Sequence, residues 1–410
     1  MKRLIHGILV AMVLVSPLAA KVYSDKTFLM PRSHNPNLAM EYTTWHKQFA
    51  LIDDKKFGGT VQATGFYEKS NNKTDLGKYF GVCNYYNGNC IDDFIAVVPY
   101  STSADPKHVT APFIFHRDYS PSERTLADKL TWRPYRESYG IRLDYHQKLD
   151  KFLKGLFFKV SAPIVHVKTS MGWTSSCCKP ACTDPCSDPC KTSCSTTCTP
   201  GKPYCVKEKL QNEDTASNGT AYSLGDYLTG CVKNDFADAK QVALCKAKIH
   251  NGVSETGIAD IDLILGYNFL YKNEKHFNVN VGLTIPTGNA PDGEWLWEPV
   301  VGNGGHWAIG AGLDGHFEIW KDTDKSLDFV FALNYRYLFS STEKRTFGYK
   351  WPTGAGTDAG KRALYGHWLL IAKTGDTWAT PAANYMTKDL KITPGSQFDG
   401  IIQLAFNYEN

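Results

Sequence analysis

The chain has 410 residues, with 45 lysines and arginines against 41 aspartates and glutamates, so it is nearly neutral for its length and nucleic acid is not the implied partner. Aromatic residues make up 13% and glycines number 34, a profile shared by soluble β-sandwiches and membrane β-barrels. Beyond the first twenty positions no apolar stretch reaches the roughly 18 residues of a spanning helix, which excludes a helical membrane protein.

Met1-Lys2-Arg3 is positive and precedes an apolar run from Leu4 to Val15, broken only by His6 and Gly7. That is the layout of a secretory signal peptide covering residues 1–20, and the run is too short to span a bilayer. Ser16, Ala19 and Ala20 place cleavage near Ala20; Leu18 is a poor fit three positions back, so a cut after Ser24 is an alternative. No cysteine lies near either site, so no lipid anchor is expected, and losing Lys2 and Arg3 leaves 43 cations against 41 anions.

Residues 21–56 form an N-terminal segment with a short helix. Asn35 caps it and Pro36 occupies its first turn. Leu38, Tyr42, Trp45 and Phe49 fall on one face, which needs burial on a periplasmic surface or inside a barrel, against Arg336 or Asp262.

From 57 to 410 the dominant signal is alternation with period two, as in a barrel wall with one lipid-facing and one inward face. Tyr139, Ile141, Leu143 and Tyr145 alternate with Arg142, Asp144 and His146, and a mixed strand follows over 157–167. Ala259, Ile261, Leu263, Leu265, Tyr267, Phe269 and Tyr271 face away from Asp260 and Asp262; Phe277 to Ile285 repeats the pattern after a three- to five-residue link. Trp307, Ile309, Ala311, Leu313, Phe317 and Ile319 oppose Asp314, His316 and Glu318, and a short polar link leads to Leu327 through Phe339, opposing Asp328 and Arg336. Strands are also expected at 364–372 and 398–408, with weaker ones at 61–68, 94–100 and 112–116. Strands this long, aromatic at their ends and joined alternately by short and long links, favour an all-β, antiparallel up-and-down transmembrane barrel of roughly ten to fourteen strands over a sandwich. Arg142, Asp144, His146, Asp260, Asp262, Asp314, His316, Glu318, Asp328 and Arg336 are its lumen-facing candidates.

The connection over 168–257 is far longer than an ordinary loop and reads as an external loop or subdomain. In it Cys178, Cys182, Cys186, Cys190, Cys194 and Cys198 recur every four residues, flanked by Cys177 and Cys205. Pro180, Pro185, Pro189 and Pro200 forbid a continuous helix, and no apolar core is available, so cross-links must supply the order. In an exported chain disulfides are the leading reading; thiolate metal binding is the alternative, though the C-x3-C spacing departs from the C-x2-C pairs of structural zinc. Cys83 and Cys90 bracket the turn signal Asn87-Gly88 and are expected to bridge; Cys231 and Cys245 flank an expected helix over 235–248. The glycine-rich run 302–305 precedes a strand rather than a helix, so it reads as a flexible hinge and not a phosphate cradle. The loop holding Trp295 and Trp297 reads as an interface-level loop with aromatic anchors, or as a ligand-contacting surface.

No nucleophile with an oriented base stands out, because titratable residues line a water-filled lumen by default; no enzyme, cofactor or metal is expected. Asn72-Lys73-Thr74 and Asn218-Gly219-Thr220 match the glycosylation pattern, which is incidental in a bacterial protein.

Asn280-Val281-Gly282-Leu283-Thr284-Ile285-Pro286-Thr287-Gly288, within 276–315, resembles porin-like bacterial outer-membrane barrels, including those linked to uptake of hydrophobic compounds. More broadly, from Pro31-Arg32-Ser33 through Tyr139-Gly140-Ile141 to Leu364 and Ala372, the chain resembles large uncharacterised barrels of the candidate phylum Dependentiae. The resemblance implies a fold and an outer-membrane location, and no substrate. The ending Tyr408-Glu409-Asn410 departs from the aromatic last residue typical of such barrels, as a fragment lacking its last strands would. The expected function is porin-like passive transport of small solutes. The alternative is a structural or adhesive surface protein cross-linked through its cysteine-rich loop, with lipid, further copies or disulfide-linked neighbours as partners.

Overall fold

The computed structural model of this chain describes His34, residues 57–73, 76, 80, short segments between 85 and 110, and residues 128–175, 224–230, 234–235, 240–272, 275–347, 367–371, 374 and 380–408. The signal peptide, the expected N-terminal helix, the strand at 112–116 and the cysteine cluster lie outside these residues.

The alternating segments become long strands because β-branched and aromatic side chains suit a pleated surface that is apolar on one face. They are β1 (Gly59–Lys69), β2 (Tyr135–Lys148), β3 (Leu156–Ser170), β4 (Val253–Ile258), β5 (Ile261–Lys272), β6 (Lys275–Ile285), β7 (Ala308–Lys321), β8 (Lys325–Leu338), β9 (Ser341–Thr346), β10 (Thr387–Ile392) and β11 (Gly395–Tyr408). One nine-stranded antiparallel sheet runs β1-β2-β3-β5-β6-β7-β8-β11, with β4 pairing the upper half of β3 just beyond β5. The strands follow one another in chain order, and the sheet curls into a half-barrel.

Short links join β2 to β3, β5 to β6 and β7 to β8 at one rim, the first and last over 149–155 and 322–324; the long connections all leave from the other. The first turn shows why these sequences reverse so tightly. Asp150 Oδ1 accepts from the Gly155 backbone N–H at 2.7 Å, and Gly155 has φ +89° with no room for a side chain, since a Cβ would meet Asn268 O at 2.5 Å. At 322–324 the Asp322 N–H closes on Lys325 O at 2.8 Å. Beyond the opposite rim, β9 and β10 pair as a separate ribbon that extends β8 and β11.

Several expectations need correction. Among the described residues eight strands lie along the sheet's path rather than ten to fourteen. Phe94–Val98 joins a small separate sheet with 108–110, 128–132 and 173–175, and Leu370–Ile371 pairs only with Thr380–Pro381. Short apolar runs satisfy a strand pattern wherever a partner edge exists, so periodicity cannot say which sheet they join. The helix over 235–248 is not formed. Asn234–Asp235 pairs with Lys240–Gln241, and the N–H groups of Ala247 and Lys248 donate to the carbonyls of Gly293 and Glu294, both at 3.0 Å. Those backbone groups are spent on extended pairing, and Leu224–Leu228 is helical instead. The long connection is shorter than expected at both ends, because β3 continues to Ser170 and β4 returns at Val253. Finally, a bulge between Asn268 and Leu270 shifts the face of β5, so Leu270 takes the outward row opposite Phe277.

Candidate functional site

The two faces of the half-barrel carry opposite chemistry. On the convex face the odd-numbered residues of β2, β6, β7 and β8 and the even-numbered ones of β11 stand outward. Val61 is 75% exposed and Leu404 64%, and Ile141, Val281, Ile309 and Ile402 are exposed as well. Near the short-turn rim the outward rings touch one another: Phe269 and Phe277 at 6.1 Å, Phe277 and Phe317 at 6.5 Å, Phe317 and Phe331 stacked at 6.2 Å.

The concave face holds the charges. Arg142 and Asp144 are each 1% exposed and pair at 2.9 Å; Ser161 donates to the same carboxylate, and Lys159 Nζ lies 3.9 Å from it. His146 stacks on Phe157 at 5.3 Å. Arg336 binds Asp262 at 2.8 Å, and Thr284 Oγ1 donates to that carboxylate at 2.6 Å. Asp314 accepts from Asn278 at 2.7 Å and stands 3.3 Å from His276. Nearer the short-turn rim His316 lies 3.5 Å from Asp328, which accepts from Asn407 at 2.7 Å, and Glu318 is flanked by Lys275 at 3.0 Å and Lys321 at 3.6 Å. These carboxylates sit beside cations and amide donors because an unpaired buried charge costs several kcal/mol (about 3–5). A small cleft of about 50 Å³, lined among others by Lys159, Asp262, His276, Asp314, Asn334 and Arg336, opens along this face.

Nine of the ten inward candidates thus lie on strands of the concave side, and the sheet brings all of these but His146 into ion-paired groups rather than one catalytic constellation. Asp260 differs: it is fully buried, at the break between β4 and β5, with Gly302 packed against it. The sequence reading set Asn278 and Thr284 on the face opposite Phe277 and Leu283; it missed Lys159, Ser161 and His276, although counting parity along 157–167 and 275–285 would have found them. Among the disulfide candidates Cys245 lies in a described stretch, where its backbone N–H donates to Asn384 at 2.8 Å. No group of His, Cys, Asp or Glu able to hold a metal occurs among the described residues.

The loop 286–307, between β6 and β7, folds inward over the long-loop rim. Val301 packs with Val165, Val167 and Ala259, and Phe66 of β1 joins them, all inside the curl. Thr169 donates to the Trp297 carbonyl at 2.8 Å and fixes the loop to β3. Gly302, Gly304 and Gly305 all have φ between +83° and +92°, and Asn303 and His306 exchange hydrogen bonds at 2.6 and 2.9 Å. The run 302–305 is therefore a buried, hydrogen-bonded turn rather than the flexible hinge expected from composition.

That turn presents His306, which is completely buried. Its Nδ1 lies 2.8 Å from the Phe339 carbonyl and its Nε2 2.7 Å from Glu343 Oε1 on β9. Glu343 Oε2 accepts from Arg345 Nε at 2.7 Å. Burial alone would lower the His306 pKa, but the bonds to Glu343 and Phe339 together with the Glu343 charge raise it above the ordinary value. Glu298 in the same loop is pushed up to about 8 by burial first, then by Asp292 beside it.

These features define a class: an all-β meander curled into a half-barrel, apolar outside and ion-paired inside, with an inward-folded loop at its long-loop rim. No family model and no curated protein matches the chain.

Proposed function

We propose that the chain is a bacterial outer-membrane β-barrel, closed by pairing of β1 with β11, that acts as a structural or adhesive surface protein through its long loops. The carrying observation is the polarity of the wall, with exposed apolar side chains outward and buried ion pairs inward. A soluble sheet of this size would bury its apolar face; here that face needs lipid.

Closure is supported by parity and stagger. Val61, Tyr145, Val160, Leu263, Leu283, Ile309, Tyr337 and Ser396 form one hydrogen-bonded row across the sheet. Eight strands in chain order make β1 and β11 antiparallel, and neither has a second strand neighbour among the described residues. Setting Gly59 against Tyr408 matches outward to outward and gives a stagger of about ten residues, which corresponds to a tilt of about 40° in an eight-stranded barrel. In lipid such edges must be satisfied.

Eight strands leave an interior filled by side chains rather than a wide channel, which supports the surface role over an open pore. On this reading the long rim faces outward from the cell, the leader directs export, and the cluster from Cys177 to Cys205 forms disulfides within the loop or between neighbours. Porin-like passage of small solutes is the second reading, favoured by the small polar cleft that Asp262, Asp314 and Arg336 line. The likeness to porin-like and Dependentiae barrels belongs to the same proposal.

The protein is expected in the outer-membrane fraction, soluble only in detergent, and migrating differently on gels when unheated and boiled. In that material Ala63→Cys with Leu404→Cys should cross-link within one chain, whereas Ala63→Cys with the inward Ala405→Cys should not. Recovery as a detergent-free soluble monomer would overturn the barrel. Thiol labelling of the denatured, unreduced protein should find few reactive cysteines, and full labelling with stoichiometric zinc would replace the disulfides by a metal site. Reductant-sensitive ladders on gels are the expected sign of cross-linked neighbours; single-channel conductance would favour passage instead.

A further inference from the structure

We propose that His306 and Glu343 form a pH-sensitive latch that holds the loop 286–307 in the mouth of the barrel and releases it as pH rises. The inference rests on the barrel reading only for the word mouth; the latch itself is a contact between the loop and β9.

The geometry suits the charged ring. The Phe339 carbonyl can only accept, and the Glu343 side chain, held on its other oxygen by Arg345, accepts when ionised. With both neighbours accepting, both ring nitrogens of His306 donate, which is the arrangement of the imidazolium. The charged groups of the elements that meet there are Glu343 and Arg345 from β9, Glu298 and Asp292 from the loop, and Asp260 under Gly302. Arg345 opposes the charge on His306, and Glu343 outweighs it at 2.7 Å.

The sign follows from linkage. A histidine whose docked pKa is raised stabilises the docked loop fully below its free value of about 6.5, and that contribution is lost as pH climbs through the docked value. Glu298, raised to about 8, acts in the same direction, because the docked loop favours its protonated form and loses this preference between about 4.5 and 8. The two groups therefore add. Docking buries Val301 against Val165 and Val167, so release would expose apolar surface and the polar interior together.

The test uses the full-length protein in detergent micelles, with hydrogen-exchange protection measured at the amides of Val301 and His306 and the His306 ring titrated by nuclear magnetic resonance. His306 should titrate above 6.5, and protection should fall by about tenfold for each unit of that shift as pH passes through it. In Glu343→Gln the ring pKa should drop to 6.5 or below and the fall in protection should move with it. In His306→Gln the His306-dependent part of the fall should vanish. The gel shift on boiling reports separately whether the wall is intact. Protection independent of pH, or a His306 titrating at or below 6.5 in the unmodified protein, would overturn the latch while leaving the barrel standing. A soluble protein showing the expected protection profile would keep the latch and overturn the barrel.

Discussion

Leu333→Arg is expected to destabilise the folded protein by about 2–4 kcal/mol in bilayers or lipid-like micelles, read as a shift in the urea unfolding midpoint. Leu333 stands on the outward face of β8, opposite Leu313 on β7 and Gly400 on β11, midway along three of the longest strands. If that face meets hydrocarbon, a guanidinium placed there must be dehydrated or must drag water and headgroups to it. On a water-facing sheet the same change would cost less than about 0.5 kcal/mol, because arginine at a half-exposed site snorkels into solvent. The two environments differ by enough to be separated in one titration. An effect within the smaller range would remove the lipid-facing wall on which the proposed location depends.

Asp144→Ala is expected to cost about 3–5 kcal/mol, for the opposite reason. Its carboxylate holds Arg142 at 2.9 Å, receives the Ser161 hydroxyl and lies 3.9 Å from Lys159, and all three side chains are nearly inaccessible. Removing it takes one counter-charge away from two buried cations. Replacing the group together, with Arg142→Met, Lys159→Met and Asp144→Leu, should recover most of the loss, since the penalty belongs to the unpaired charge rather than to the missing bond. Unfolding midpoints of the single and triple variants check this. A single variant as stable as the parent would mean that water reaches this site freely, and would favour the solute-passage reading over the packed interior.

What the sequence determined by itself was the periodic part. Which residues of 139–146, 261–267, 277–285, 309–317 and 327–337 share a face follows from period-two geometry alone, because one residue of slip would move every charge to the apolar face. The short polar link ahead of Leu327 was equally legible, and there the Asp322 N–H closes on the Lys325 carbonyl. Hence nine of the ten inward candidates could be named before any coordinates.

Tertiary structure decided the partners. Asp144 and Lys159, or Asp262 and Arg336, meet only because strands distant in sequence are brought alongside one another in a set register. Whether Phe94–Val98 joined the wall or a separate sheet depended on which edge was open to it. A helix was expected over 235–248, and yet Ala247 and Lys248 bond in extended form to the loop at 293–296, because that loop offered its backbone groups. His306 had no local signal at all. Its burial and its hold on Glu343 arise from three glycines folding a loop back onto a ribbon that begins 35 residues later, a long-range contact that no periodicity encodes.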